Sequence, residues 1–155
     1  MFIGPCIAKK VEAREHRESI NYVLTFEEIM CMLEGKDIKF AEMSGDTAYE
    51  RDASKLGLSF PLTAGVSAAV QDTVAAMGGE VHNAQYCSGL DKCRDMVKAA
   101  ASGKLDCSYI EGMACSNGCI DGPAAVGDFH ITKVALTKYA AAAPNKQAAE
   151  DKHTK

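Results

Sequence analysis

The stretch Ile110-Glu111-Gly112-Met113-Ala114-Cys115-Ser116-Asn117-Gly118-Cys119-Ile120-Asp121-Gly122-Pro123 sets two cysteines, separated by three residues, in a loop that closes on Gly-Pro. What precedes it decides the fold class. Asp106 to Glu111 reads as a strand that delivers Met113-Ala114-Cys115 beyond its C-terminal end. Leu90 to Ala101 reads as a helix, with Leu90, Cys93, Val97 and Ala101 on one face and Gly103 as its stop. Glu80 to Tyr86 reads as the strand before it. A strand, about three helical turns and a second strand predict a right-handed crossover between parallel strands, hence an α/β fold. Open α/β sheets hold ligands at the carboxyl edge of their strands, where this loop stands.

Thiolates are soft ligands, and Cys-x-x-x-Cys brings two sulfurs to one metal centre if the loop curls. Gly118 is free to take a positive φ there. Two small packing cysteines in a 7-Cys chain explain the same residues, and the spacing alone leaves the readings level.

A second stretch shifts the balance. The chain opens Phe2-Ile3-Gly4-Pro5-Cys6-Ile7-Ala8-Lys9-Lys10, an apolar run ending at a cysteine with a cation three residues on. Gly-Pro-Cys-x-Ala-Lys-Lys and Met-Ala-Cys-x-x-Gly-Cys together resemble the last two of three cluster motifs of the iron-only (FeFe) hydrogenases. Asn21-Tyr22-Val23-Leu24-Thr25-Phe26-Glu27-Glu28 is similar to a segment of that family, as is Phe60-Pro61-Leu62-Thr63-Ala64-Gly65-Val66. Cys87-Ser88-Gly89-Leu90-Asp91-Lys92-Cys93 resembles a segment of its sensory-type branches. The likeness runs from about Met1 to Val126 in the family's order.

The resemblance implies part of the H-cluster domain, an α/β fold with mixed or parallel sheet and flanking helices, over 1–143. It implies a 4Fe–4S cubane joined through a shared cysteine to a two-iron site, reversible reduction of protons to H2, and ferredoxin or a fused ferredoxin-like domain as electron partner. Cys6, Cys115 and Cys119 are the implied cubane ligands, Cys119 being the shared sulfur. Lys9 is the implied hydrogen-bond donor to the two-iron site and Met113 its apolar neighbour; a solvated lysine and a core methionine are the plainer readings of those two residues. The fourth ligand belongs, in the family, to an upstream motif that this sequence does not contain, so the upstream half of the domain is an expected partner. Cys87 and Cys93 are the better substitutes among the remaining cysteines, ahead of Cys31 and Cys107. Three cysteines and a fourth ligand also suit zinc.

The departures bear on turnover. Ser116-Asn117 stands where hydrogen-producing members have Pro-Gly, Asp121-Gly122-Pro123-Ala124-Ala125 replaces a glycine-rich run, and Gly4 replaces a methionine beside the two-iron site. These favour the sensing branches. Two further readings follow: a redox- or H2-sensing cluster module that does not turn over, and an incomplete fragment that needs its upstream segment.

Composition fits a cytoplasmic protein, and the resemblance implies an anaerobic setting. The formal net charge of −4 argues against nucleic acid or an anionic membrane as partner. No apolar run approaches the ~20 residues that span a bilayer, and no signal peptide is visible. An odd number of cysteines points to reduced thiols rather than a disulfide framework.

The remaining elements are local readings. Lys9 to Ile20 is a charged surface segment, His16 included. Tyr22 to Leu24 is a short strand, and Thr25 with Glu28 makes a capping box for a helix that ends at Gly35. Asp37 to Met43 alternates as a strand. Ser44 to Ser59 is a polar loop. Val66 to Met77 is a helix whose N-terminus would suit an anionic cluster. His130 to Ala143 is the last helix, and 144–155 is a polar, disordered tail.

Overall fold

The computed structural model describes residues 1–39, 42–44 and 53–145. They belong to two compact units, one drawn from Met1–Glu50 with Asp121–Asp128, the other from Arg51–Ile120 with Phe129–Lys155.

In the first unit, β1 (Phe2–Ile3) pairs in parallel with β2 (Val23–Leu24), with α1 (Ala8–Glu15) between them and α2 (Phe26–Glu34) after. The Phe2 N–H donates to the Tyr22 carbonyl at 2.8 Å and the Gly4 N–H to the Leu24 carbonyl at 3.1 Å. Pro5 is thus led off the end of a parallel pair, and its carbonyl accepts from Ala124 N–H at 3.1 Å. The predicted capping box forms. Thr25 Oγ1 accepts from Glu28 N–H at 3.2 Å, and Thr25 N–H donates to Glu28 Oε2 at 2.8 Å.

The strand expected over Asp37–Met43 does not form at Asp37–Lys39; Phe40 and Ala41 lie outside the described residues. Gly35 keeps a right-handed φ of −61°, and the reversal comes at Asp37, whose φ is +56°. Ile38 N–H then reaches back to the Leu33 carbonyl at 3.0 Å, closing the helix as a Schellman-type turn. Those residues are occupied in ending α2.

The second unit contains α3 (Lys55–Leu58), α4 (Gly65–Ala76), β3 (Gln85–Ser88), α5 (Leu90–Ala101), β4 (Ile110–Met113), a 3-10 turn beginning at Cys119, and α6 (Phe129–Ala141). The short helix α3 lies within the segment read as loop; Ser54 Oγ caps it by accepting from Gly57 N–H at 3.0 Å. Residues 45–52 of that segment lie outside the described residues.

β3 and β4 are parallel, pairing Gln85 with Ile110, Tyr86 with Glu111, Cys87 with Gly112 and Ser88 with Met113. The strand-helix-strand unit is as predicted, and α5 has the predicted bounds. Both strands start later than the pattern suggested. Asn83 adopts φ +44°, its side-chain amide donates to the Asp106 carbonyl at 2.6 Å, and Ser108 N–H donates to the His82 carbonyl at 3.0 Å. The leading segments are therefore tied by a turn and side chains instead of a ladder.

Among the described residues the sheets are two separate parallel pairs. Their cores are built of small and medium side chains: Ala13 and Ala124 in the first unit, and Ala69, Cys87, Met113, Ile120, Ala140 and Ala143 in the second. Asn145 accepts from Lys55 N–H at 2.9 Å through its carbonyl; the rest of the expected tail, 146–155, lies outside the described residues.

Candidate functional site

Met113 is the last residue of β4, and the cysteine loop leaves the sheet directly after it. Gly118 takes φ +90°, the left-handed region where a side chain is strained. A Cβ there would stand 2.7 Å from the Pro61 carbonyl oxygen and 2.9 Å from Thr63 N. The loop is therefore seated on the segment before α4. An antiparallel bridge joins Leu62 and Gly118, and Ile120 N–H donates to the Pro61 carbonyl at 3.3 Å. On the other side Ser88 Oγ donates to the Ser116 carbonyl at 2.6 Å. Cys115 is half-buried and Cys119 exposed. Beside the loop, at the carboxyl ends of β3 and β4, a shallow cleft of about 290 Å³ is lined by Ser88, Gly89, Leu90, Asp91, Lys92, Ala114 and Ser116.

Beneath the loop lies a residue that the sequence reading passed over. Glu111 is only 5% exposed. Its carboxylate accepts from Ala64 N–H at 3.0 Å and from Ser67 N–H at 2.6 Å. These are the unpaired donors that open α4, which has no side-chain cap of its own. The positive end of α4, expected to face an anionic cluster, faces this carboxylate. The signal was present: a carboxylate inside a strand must be paired if the strand is buried. The Glu111 charge and burial together raise the Tyr109 phenol above its ordinary pKa, burial being the larger cause. Gly65, next to Ala64, is packed so tightly that a Cβ would run into the Ser59 carbonyl.

Cys87 on β3 and Cys93 on α5 both set their sulfurs against β4, at the Glu111 and Met113 carbonyls. Their sulfurs are 3.2 Å apart, and Cys87 is 7% exposed. Burial, followed by the hydrogen bond with Cys93, pushes the Cys87 thiol up to about 11. The structure thus brings these two cysteines to each other.

In the first unit, Cys6 is half-buried just past β1. Lys9 makes an ion pair with Glu12 on the next turn of α1. Lys10 reaches both oxygens of Glu28, at 2.7 and 2.8 Å. That bond, followed by the Thr25 N–H, holds the Glu28 carboxyl below the usual carboxylate range. His16 is exposed near Glu18.

The donor chemistry of Cys115 and Cys119 fits an iron–sulfur cluster in part. Two thiols are presented from a loop already held at both sides, and Cys119 is open to solvent. Among the described residues, neither unit gathers three or more His, Cys, Asp or Glu side chains at metal-holding distance. No helix among them is long and apolar enough to cross a membrane. Compared with known proteins, residues 1–123 match the family model described as iron only hydrogenase large subunit, C-terminal domain. No curated protein matches the chain.

Proposed function

The chain belongs to the family of the iron-only hydrogenase large subunit, C-terminal domain, and on that premise we propose that its Cys115–Cys119 loop carries two thiolate ligands of a 4Fe–4S cluster. The family is one of hydrogenases, oxidoreductases whose cofactors are iron–sulfur clusters. One observation carries the reading: the loop between the two cysteines is held by the protein itself, through Gly118 on Leu62, with Cys119 exposed at its end. A bound cluster supplies one-electron chemistry at low potential. The chain's residues orient it. Glu111 fixes α4 against β4, Gly118 and Ser88 fix the loop, and buried Met113 offers an apolar wall at the loop's base.

Cys6 is the third ligand by family resemblance, and Cys119 the sulfur shared with a two-iron site. Lys9 is the cation for that site; it has Glu12 as its present partner, which it must leave to serve there. Cys87 and Cys93 are poor fourth ligands, because their sulfurs face each other under β4. The fourth donor comes from outside the described residues, from the upstream half of the domain or an exogenous thiol. Ferredoxin, free or fused, is the proposed electron partner for proton reduction.

One observation favours a second reading. A side chain at Gly4 would meet the Phe2 ring at 2.9 Å, so the methionine that flanks the two-iron site in hydrogen-producing members has no room while Phe2 keeps its place. A cluster module that senses redox state or H2 without fast turnover does not need it.

The test is iron and acid-labile sulfide per chain after anaerobic reconstitution, with EPR of the reduced protein, for the native sequence, Cys115→Ser and Cys119→Ser. About four iron and four sulfide, with a reduced-cluster signal lost in both variants, is the expected result. No stable iron, or a signal indifferent to both substitutions, overturns it.

A further inference from the structure

The loop cysteines leave a second sulfur pair unexplained, and its surroundings point to chemistry of its own. Cys87 is the next-to-last residue of β3, and Cys93 lies in the first turn of α5, joined by Ser88-Gly89-Leu90-Asp91-Lys92 with Gly89 at φ +95°. Their sulfurs stand 3.2 Å apart. A disulfide needs roughly 2.05 Å, so about 1 Å of travel separates the dithiol from the bond. The strand opposite makes room. Gly112 is the residue facing them, and a Cβ there would sit 3.4 Å from the Cys93 sulfur and 3.9 Å from the Cys87 sulfur. Each thiol also has a backbone acceptor on β4. Cys87 Sγ donates to the Glu111 carbonyl at 3.6 Å and Cys93 Sγ to the Met113 carbonyl at 3.4 Å. The two cysteines differ in access: Cys87 is buried and Cys93 half-buried.

We propose that Cys87 and Cys93 form a reversible dithiol–disulfide site that takes a low-molecular-weight disulfide as its oxidant. The Cys93 thiolate attacks one sulfur of the reagent and expels the other as a thiolate, leaving a mixed disulfide on the more accessible cysteine. Cys87 then gives up its proton to solvent and attacks the Cys93 sulfur, expelling the second reagent thiolate. The protein loses two electrons and two protons, and the reagent becomes two thiols. The raised Cys87 pKa agrees with this order, since Cys87 stays protonated while Cys93 reacts. Oxidation removes both S–H donors from β4, the strand that carries Met113 into the Cys115 loop, so the state of the pair is felt at the base of that loop. The inference is independent of whether iron binds there.

The experiment equilibrates the full chain, anaerobically and without iron, in reduced and oxidised glutathione at set ratios. Samples are acid-quenched, alkylated and mapped by mass spectrometry. The expected result is one linked peptide pair, Cys87 to Cys93, rising from a tenth to nine-tenths over about a hundredfold change in ratio and reversed by dithiothreitol. In Cys93→Ser the link disappears and Cys87 is fully alkylated. Full alkylation of both cysteines in the native chain at the most oxidising ratio overturns the proposal, as does linkage of either one mainly to a different cysteine. Iron content after reconstitution, measured on the same preparation, reports separately on the cluster reading.

Discussion

α2 and α4 each open with backbone N–H groups held by a glutamate, but the two glutamates come from different distances along the chain. At α2 it is Glu28, three residues from Thr25. At α4 it is Glu111, 47 residues from Ala64 and 44 from Ser67. The first helix start is encoded in four adjacent residues and exists wherever that tetrapeptide turns helical. The second exists only once β4 is in register beside β3. α4 therefore depends on the strand that carries the cysteine loop, and α2 depends on its own first turn.

The sharpest way to break this contrast is Glu111→Ala. It strands two donors that bond to a buried charge, and a loss of about 3 kcal/mol in denaturant unfolding is expected. Hydrogen exchange should rise at the start of α4 and along β4 together. A loss confined to α4 would show that helix and strand are not coupled through this carboxylate. A smaller effect is expected from Thr25→Ala, about 1 kcal/mol, with exchange rising in the first turn of α2 alone. Equal costs for the two substitutions would erase the distinction.

The smallest effect is expected from Lys10→Met, because the pair of half-buried Lys10 and exposed Glu28 is open to solvent and such pairs contribute little. Its signature is in acid. The folded Glu28 carboxyl titrates below its unfolded value, so its contribution is present above the ordinary carboxylate range and lost as pH falls through the lower folded pKa. The acid limb of the unfolding curve should flatten in Glu28→Gln and shift upward in pH in Lys10→Met. An identical acid limb in all three proteins would remove the charge from the α2 cap.

The same difference explains what could be read from the sequence. The capping box, the bounds of α5 and the parallel strand-helix-strand unit depend on neighbours in the chain or on a simple apolar period, and they were legible. The starts of β3 and β4 were not, because Asn83 and Ser108 divert the chain by bonding across to Asp106 and His82. Asp37 to Lys39 alternates like a strand, but its amides complete the end of α2. Glu111 stood in plain view in the opening stretch, yet its partner was a helix start whose position in space no local pattern shows. At the candidate site, the motif residues were visible as letters. The seating of Gly118 on Pro61–Thr63 was not, nor was the meeting of Cys87 with Cys93, since both are contacts between distant segments.

Gly118 has a consequence for assembly. A flexible three-residue span between two thiols would have to lose its conformational freedom at the moment it met a metal, and that entropy would count against binding. Here the bridge to Leu62 has already removed it when the chain folds. The backbone between the two proposed ligands is ordered by protein contacts, so the ordering cost of the proposed site falls on folding and not on binding. A residue with a side chain at position 118, crowded against Pro61 and Thr63, would return that cost to the binding step.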